Sequence, residues 1–306
     1  MFYPNRTMKK NTKYLSTLAG LVLAGATLNA QAVIYEGFDF ADTAGANITG
    51  NAAGTGLTGN WSGLNTWKEQ VASIGYGSLE TSGGAALNTG GWATMSAGID
   101  TTNTAYTNLL ADGGNLWFSA TINIGLAAAD HRFYLGLSNG AIGASNGAFA
   151  TGVEAVGFGI ASNETYYANV WSDADSGGWG NNLQNAPTGD VSTTANTSVD
   201  GTTSTSFFVV GHVAWGATDT DVDKVTLYLP GTDLTLGSAV SVNEEVIADQ
   251  SGFNTLAFSN LRDGVAIDEI RVGASYGDVS PIPEPSSFSL IALAGVSLCL
   301  LRRKRA

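Results

Sequence analysis

The stretch Ser206–Trp215 (SFFVVGHVAW) decides the fold class, because it is apolar at almost every position. Its β-branched and aromatic residues are typical of strands. A strand that is apolar on both faces belongs in the middle of a sheet that is covered on both sides. The stretch therefore predicts a central strand with packing against each face of its sheet.

The sequence around this stretch alternates between apolar and polar residues, and it shows almost no helical period. The alternation is clearest in Asn115–Gly125, His131–Asn139 and Val222–Leu229. Further strands are predicted at Val33–Phe40, Glu69–Gly75, Val153–Ala161, Thr165–Ser172, Phe253–Leu261 and Ala266–Gly273. Polar, glycine-rich stretches such as Gly45–Gly63 and Asp173–Thr205 separate them and predict turns. We expect an all-β protein whose residues 33–280 form one antiparallel β-sandwich.

The charge balance excludes a role in nucleic-acid binding. The chain has 306 residues, a formal net charge of -13 and a pI near 4.3. Residues 33–283 carry five basic and 25 acidic side chains, a formal charge of -20. Proteins that grip phosphates need clusters of Lys and Arg, and the predicted sandwich has none.

The first 32 residues have the pattern of a secretory signal peptide. Basic residues precede the apolar run Leu15–Leu28, and Ala30-Gln31-Ala32 forms a cleavage site of small residues. The run is shorter than the ~18 residues expected of a transmembrane helix. We therefore expect export and removal of residues 1–32.

The last 26 residues, 281–306, have a different composition. Pro283-Glu284-Pro285 precedes the uncharged stretch Ser286–Leu301, which is followed by Arg302-Arg303-Lys304-Arg305. This pattern predicts a single transmembrane helix whose basic end stays in the cytoplasm. The one cysteine, Cys299, lies in that helix, so the sandwich is expected to fold without a disulfide.

These three elements, in this order, closely resemble the PEP-CTERM sorting signal of exported proteins of Gram-negative bacteria. The resemblance implies a transient anchor in the inner membrane and cleavage near Pro283–Pro285 by a membrane-embedded exosortase. It further implies delivery to the cell surface or to an extracellular matrix rich in exopolysaccharide.

Four segments of the sandwich resemble the concanavalin A-like, laminin-G-type jelly roll: Ile34–Phe40 (IYEGFDF), Gly54–Gly63 (GTGLTGNWSG), Lys224–Leu229 (KVTLYL) and Ile267–Gly273 (IDEIRVG). The resemblance implies that the first and last strands pair. It also implies a bias towards contact with glycans.

We predict no catalytic residues from the sequence. Of the three G-x-S-x-G strings, Gly273–Gly277 follows a predicted strand but has no histidine downstream. Gly136–Gly140 and Gly143–Gly147 lie in a glycine-rich loop and are followed by strand-like sequence, where a nucleophile elbow needs a helix. The paired carboxylates of jelly-roll glucanases, E-x-D-x-x-E or E-x-D-x-E, do not occur. Asp268 and Glu269 are adjacent, so alternation places them on opposite faces of a strand. His212 alternates with apolar neighbours and is expected to pack in a sheet.

Four aromatic residues are candidates for glycan binding: Tyr166, Tyr167, Trp171 and Trp179. They flank a polar loop, and aromatic faces beside Asn and Asp suit sugar stacking and hydroxyl hydrogen bonds. Ordinary packing in the sandwich core is the alternative for each of them.

Asp219, Asp221 and Asp223 have the D-x-D-x-D spacing that can offer carboxylates to Ca²⁺. The segment is not an EF-hand loop, since Lys224 stands where the sixth residue should be Gly. A solvated acidic turn before a strand is the favoured alternative. No other cofactor is expected.

The sequence favours a non-enzymatic protein of the cell surface or matrix, with glycan binding as its activity. The alternative is a polysaccharide-acting enzyme, a glycoside hydrolase or lyase, whose catalytic side chains come from separate strands.

Overall fold

The computed structural model describes residues 31–40, 44–124, 133–140, 153–160, 166–171, 205–247, 249–260 and 263–281. For residues 166–171 and 205 it describes the backbone alone. Most of the predicted signal peptide, including Ala30, and the predicted tail from residue 282 onwards lie outside these ranges, as does Trp179. No helix within the described ranges has the length and apolar character needed to cross a membrane.

The described residues form two antiparallel sheets, which confirms the all-β prediction. The larger sheet has the order β12-β11-β10-β6-β14-β4-β3, with β1 also paired to β14. Its strands are β1 (Ile34–Glu36), β3 (Trp67–Gln70), β4 (Ala85–Asn88), β6 (Asn115–Ile124), β10 (Thr205–Ala214), β11 (Asp223–Tyr228), β12 (Ala239–Glu245) and β14 (Val265–Gly273).

The smaller sheet has the order β2-β5-β13-β7-β8-β9. Its strands are β2 (Leu57–Gly63), β5 (Ala93–Ile99), β7 (Phe133–Ser138), β8 (Ala155–Ile160), β9 (Tyr166–Trp171) and β13 (Thr255–Asn260). Two short helices, α1 (Thr104–Leu109) and α2 (Tyr276–Val279), and a 3₁₀ turn at Gln250–Gly252 complete the described structure.

The first and last strands pair, as the jelly-roll resemblance implies. β1 lies antiparallel to β14, with Ile34 opposite Val272. Buried Glu36 fixes this end of the sandwich: its carboxylate accepts hydrogen bonds from the Phe38 amide at 2.7 Å and the Trp61 indole at 2.8 Å. The described architecture therefore supports a jelly-roll body.

The main core lies between the two sheets and is rich in aromatic side chains. Phe118 of the larger sheet stacks on Phe158 of the smaller one at 5.9 Å. Trp67 meets Phe258 edge to face at 4.8 Å. Burying each large side chain stabilises the fold by roughly 1.5–3 kcal/mol.

Four strands of the structure were not predicted: β2, β4, β5 and β12. β2 lies in the stretch that was predicted as a turn region, and three consecutive residues of it are exposed, so apolar alternation is weak there. Gly63, at its end, has φ 154° and lies so close to β5 that an added Cβ would be 2.1 Å from the Thr94 carbonyl. Ala93, Ala97 and Gly98 of β5 (ATMSAGI) have low strand propensity, and the segment becomes a strand because both its neighbours pair with it.

A second, smaller core lies on the outer face of the larger sheet, the face that points away from the smaller sheet. Three segments cover part of this face: residues 71–84, here called the strap, the loop 230–237, and residues 274–281, here called the latch. Their side chains bury Phe208 and Val210 of β10. This packing confirms the prediction that the stretch around β10 is covered on both sides.

Candidate functional site

The outer face of the larger sheet has an open half, at the ends of β6, β10 and β11. Trp117, His212 and Thr226 are direct register partners across these three strands. Trp117 and His212 are half-buried, so each keeps part of its side chain in contact with solvent. We call the group formed by these two residues with Asn115, Tyr228 and Tyr276 the aromatic site.

His212 is held in one orientation by two neighbours. Its ring stacks on the Trp117 indole, with centroids 4.3 Å apart and planes 21° from parallel. Its Nε2 lies 2.8 Å from the Asn115 side-chain oxygen. Since an amide oxygen only accepts hydrogen bonds, Nε2 carries the proton and Nδ1 presents its lone pair. Burial lowers the pKa of His212, so the imidazole is neutral near neutral pH and can accept a proton.

Two tyrosines extend the apolar surface beside Trp117. The Tyr228 ring is 6.2 Å from Trp117 and 22° from parallel to it. The Tyr276 ring is 5.9 Å from Trp117 and tilted by 55°. The Tyr276 hydroxyl donates to the Leu234 carbonyl at 2.5 Å, which fixes its ring. Half-exposed aromatic faces next to polar groups suit the apolar faces and hydroxyls of sugars.

A charged pair borders the aromatic site. Lys224 Nζ lies 2.7 Å from a Glu244 carboxylate oxygen, and the two side chains are 47% and 49% exposed. Lys224 is opposite Ala214, two register pairs along from His212, so Lys224 and His212 lie on the same face of the sheet. An exposed pair of this kind is worth about 0–1 kcal/mol, so either partner can exchange it for a ligand.

The other half of the outer face, beneath the strap, is sealed. Asp268 accepts hydrogen bonds from the Ser73 hydroxyl and, at 2.8 Å, from the Ile74 amide of the strap. Burial raises the pKa of Asp268 to about 8, because the charged form has lost its water. Glu269 accepts from the Ser82 amide at 2.6 Å and forms an ion pair with Arg271.

A β-bulge in β14 brings these groups together. The pairing with β6 shifts between Asp268 and Arg271, and Glu269 has φ 53°, in the left-handed region. The expectation that Asp268 and Glu269 lie on opposite faces is therefore wrong, since both bond to the strap. Arg271 also lies 5.0 Å over the Tyr35 ring. These charged residues are at most 4% exposed, so no polysaccharide reaches them and we assign them to stability.

Three of the aromatic residues predicted to bind glycans form part of β9, the edge strand of the smaller sheet. Tyr166, Tyr167 and Trp171 pair with Ile160, Gly159 and Ala155 of β8. β9 is therefore not part of the sheet that carries the aromatic site. Trp179, the fourth, lies outside the described residues, and glycan binding by these four residues stays a prediction.

The three aspartates predicted as a calcium site play different parts. Asp223 is buried, and its two carboxylate oxygens accept from the Gly216 amide at 2.9 Å and the Ile247 amide at 2.8 Å. Asp219 and Asp221 are exposed. Across the part of the chain that the structure describes, no group of three or more His, Cys, Asp or Glu is placed to hold a metal ion. Asp223 anchors the acidic turn, and calcium binding stays a prediction.

The sequence pattern did not identify Trp117, Asn115 and His212 as one group. Alternation does put Leu116 and Phe118 in the core, which leaves Trp117 for the outer face. What was missing is the pairing of β6 with β10, two strands that are separated by about 80 residues and aligned only in the fold.

No protein-family model and no curated protein matches the chain. Solved structures do match it. One is an endo-β-1,4-glucuronan lyase from the fungus Trichoderma reesei, with 10% identity, a TM-score of 0.39 and coverage of 82% of this chain and 99% of that chain. The alginate lyase Aly36B matches with 12% identity, a TM-score of 0.42 and coverage of 79% and 97%. The carbohydrate recognition domain of Emp46p matches with 10% identity, a TM-score of 0.38 and coverage of 70% and 88%.

These comparisons correct one prediction. They contradict the prediction that the body is non-enzymatic, since polysaccharide lyases recur among the matched structures. The alternative, a polysaccharide-acting enzyme, agrees with them better.

Proposed function

We propose that the protein is a polysaccharide-acting enzyme and that it works at the aromatic site. The observation that carries this proposal is His212, a neutral imidazole oriented by Asn115 and stacked on Trp117 at a half-exposed sheet face. Such a group can act as a general base on a sugar that lies across the aromatic rings.

The arrangement favours elimination over hydrolysis. Glycoside hydrolysis needs two carboxyl groups about 5–10 Å apart. Glu244, which borders the aromatic site, is paired with Lys224, and the Asp278 carboxylate is bonded to the Ala274 and Ser275 amides of the latch. One neutral base beside one lysine fits the removal of a proton next to the carboxylate of a uronic acid.

In this reaction His212 Nδ1 takes the proton from C5 of the uronic acid. The electron pair left at C5 forms a double bond to C4, and the C4–O bond to the preceding part of the chain breaks. The leaving oxygen takes a proton from solvent. Lys224, released from Glu244, balances the negative charge that builds up on the sugar carboxylate.

The test uses the full chain in mild detergent on a panel of glucuronan, alginate and a neutral β-glucan. We expect ultraviolet absorbance from the new double bond with the two polyuronates and none with the glucan. His212→Ala should lower the rate by about 10²–10⁴-fold, the usual contribution of a general base. Lys68→Ala, which alters a lysine on the distant strand β3, is the matched control and should act like the wild type. Cleavage that is equal in His212→Ala, or that yields reducing ends without a double bond, would contradict the proposal.

The acidic body gives the reaction a distinctive salt dependence. With a formal charge of -20 over residues 33–283, the protein repels a polyuronate at long range. Added salt screens that repulsion, because the Debye length shortens to about 8 Å at physiological ionic strength. The initial rate should therefore rise as salt is raised from low concentration.

We further propose that the protein is exported and sorted through its two ends. Support comes from the signal-peptide pattern that ends at Ala32 and from the order of Pro283–Pro285, Ser286–Leu301 and Arg302–Arg305. Exosortase processing would deliver the enzyme to a cell surface or matrix that contains exopolysaccharide. Mass spectrometry of the mature protein from a host with an exosortase should find a C-terminus near residues 283–285. Recovery of the intact 302–306 end from the cell surface would contradict processing.

A further inference from the structure

The latch begins directly beside the aromatic site. Gly273, the last residue of β14, is the register partner of Trp117. The chain then turns back over the sheet: the Asp278 carboxylate accepts from the Ala274 amide at 2.9 Å and the Ser275 amide at 2.8 Å. An added Cβ on Gly273 would lie 2.4 Å from Asp278 Cβ, so this close turn requires glycine.

The far end of the latch is fixed to two different elements. The Ser119 hydroxyl of β6 donates to the Val279 carbonyl at 2.7 Å, and the Val279 side chain is fully buried. The Glu80 amide of the strap donates to the Pro281 carbonyl at 2.9 Å. A segment fixed at both ends cannot slide along the sheet, so the residue in its middle has a defined place.

That middle residue is Tyr276. Its ring lies 5.9 Å from Trp117, and its hydroxyl donates to the Leu234 carbonyl of the loop 230–237. Leu234 itself has φ 60° and is 5% exposed, so the acceptor is held in a constrained backbone. Tyr276 therefore supports the edge of the indole on which His212 stacks.

We propose that Tyr276 is a positioning residue: the latch uses it to hold Trp117, and through Trp117 the His212 ring, in the geometry needed for proton transfer. Its effect on catalysis rests on the proposed function, whereas its effect on the two rings does not. If the His212 ring tilts out of line, the rate of proton transfer falls steeply, because the accepting nitrogen must lie within hydrogen-bond reach of the proton.

Nuclear magnetic resonance tests the positioning directly, because the chain has two histidines, His131 and His212. A ring stacked 4.3 Å from an indole has its protons shifted upfield, and the His212→Asn spectrum assigns them. In Tyr276→Ala we expect the upfield shift to shrink and the pKa of His212 to move up towards its ordinary value, since more solvent reaches the ring. Tyr276→Phe keeps the aromatic contact and should retain most of both effects.

Kinetics on the polyuronate that the full chain cleaves gives the second measurement. Tyr276→Ala should lower kcat/KM by about tenfold, mainly through kcat, and Tyr276→Phe should restore most of it. Ser119→Ala, which removes the bond to Val279 without touching either ring, should shift the His212 signals in the same direction by less. A melting curve of each variant checks that it folds.

The outcomes separate the two proposals. Altered His212 signals in a chain that cleaves no polysaccharide would overturn the proposed function and leave the positioning role standing. Unchanged His212 signals in folded Tyr276→Ala would overturn the positioning role, whatever the activity. A kcat/KM equal to that of the wild type in Tyr276→Ala would do the same.

Discussion

The two halves of the outer face of the larger sheet treat polar groups in opposite ways. Under the strap, Asp268, Glu269 and Arg271 are almost completely buried, and their partners come from the protein. At the open half, His212 and the Lys224–Glu244 pair keep contact with solvent. The comparison teaches that a strongly shifted pKa is not enough to propose a functional site, because a ligand must also be able to reach the group.

The largest expected effect lies in the sealed half. Arg271→Ala leaves the buried Glu269 carboxylate without its ion pair, and breaking a buried pair in this way costs about 3–5 kcal/mol. Denaturant unfolding should show this loss of stability. Arg271→Lys keeps the charge, so its stability should lie between those of Arg271→Ala and the wild type. A loss below about 1 kcal/mol would show that the sealed half is more open to water than its burial indicates.

The pH dependence of stability sharpens the same contrast. The folded pKa of Asp268, about 8, lies above its ordinary value of 3.8, so its contribution to stability is complete below pH 3.8 and is lost as pH rises through about 8. The slope from this one group reaches at most about 1.4 kcal/mol per pH unit. In Asp268→Asn the free energy of unfolding should fall less steeply between pH 3.8 and about 8. An unchanged slope would contradict the raised pKa of Asp268.

His212 should affect stability much less than activity. His212→Ala removes a stacked ring and one hydrogen bond at a half-exposed position, so the free energy of unfolding should fall by about 1 kcal/mol. Thermal and denaturant melts can measure this directly. A loss comparable to that of Arg271→Ala would mean that His212 is a structural residue like those under the strap.

The smallest effect is expected for the charged pair at the open half. Lys224→Ala breaks an ion pair whose two side chains are about half exposed, which should cost about 0.2–1 kcal/mol. It is the matched control for Arg271→Ala, since both remove a cation from a carboxylate on the same sheet. Equal losses in the two variants would abolish the distinction between the halves.

The fold class could be predicted from the sequence alone, but the aromatic site could not. Apolar runs such as that in β10 predict a sheet covered on both faces, and the jelly-roll resemblance implied that β1 pairs with β14; both were confirmed. β5 was missed because its Ala and Gly residues weaken the strand signal. The aromatic site could not be predicted, since neither the alignment of Trp117 with His212 nor the place of Tyr276 above them follows from alternation within one strand.

The pairing of β1 with β14 also has a consequence for when the protein can fold. Tyr35 contacts Glu269, 234 positions further along the chain, and the strap contacts Asp268 across 195 positions. Contacts of such long range make folding slow, because a large loop must close before they form. A chain made from its N-terminus cannot complete the larger sheet until β14 has left the ribosome. The larger sheet therefore stays incomplete for nearly the whole time of synthesis, which would suit the proposed export through a narrow translocation channel.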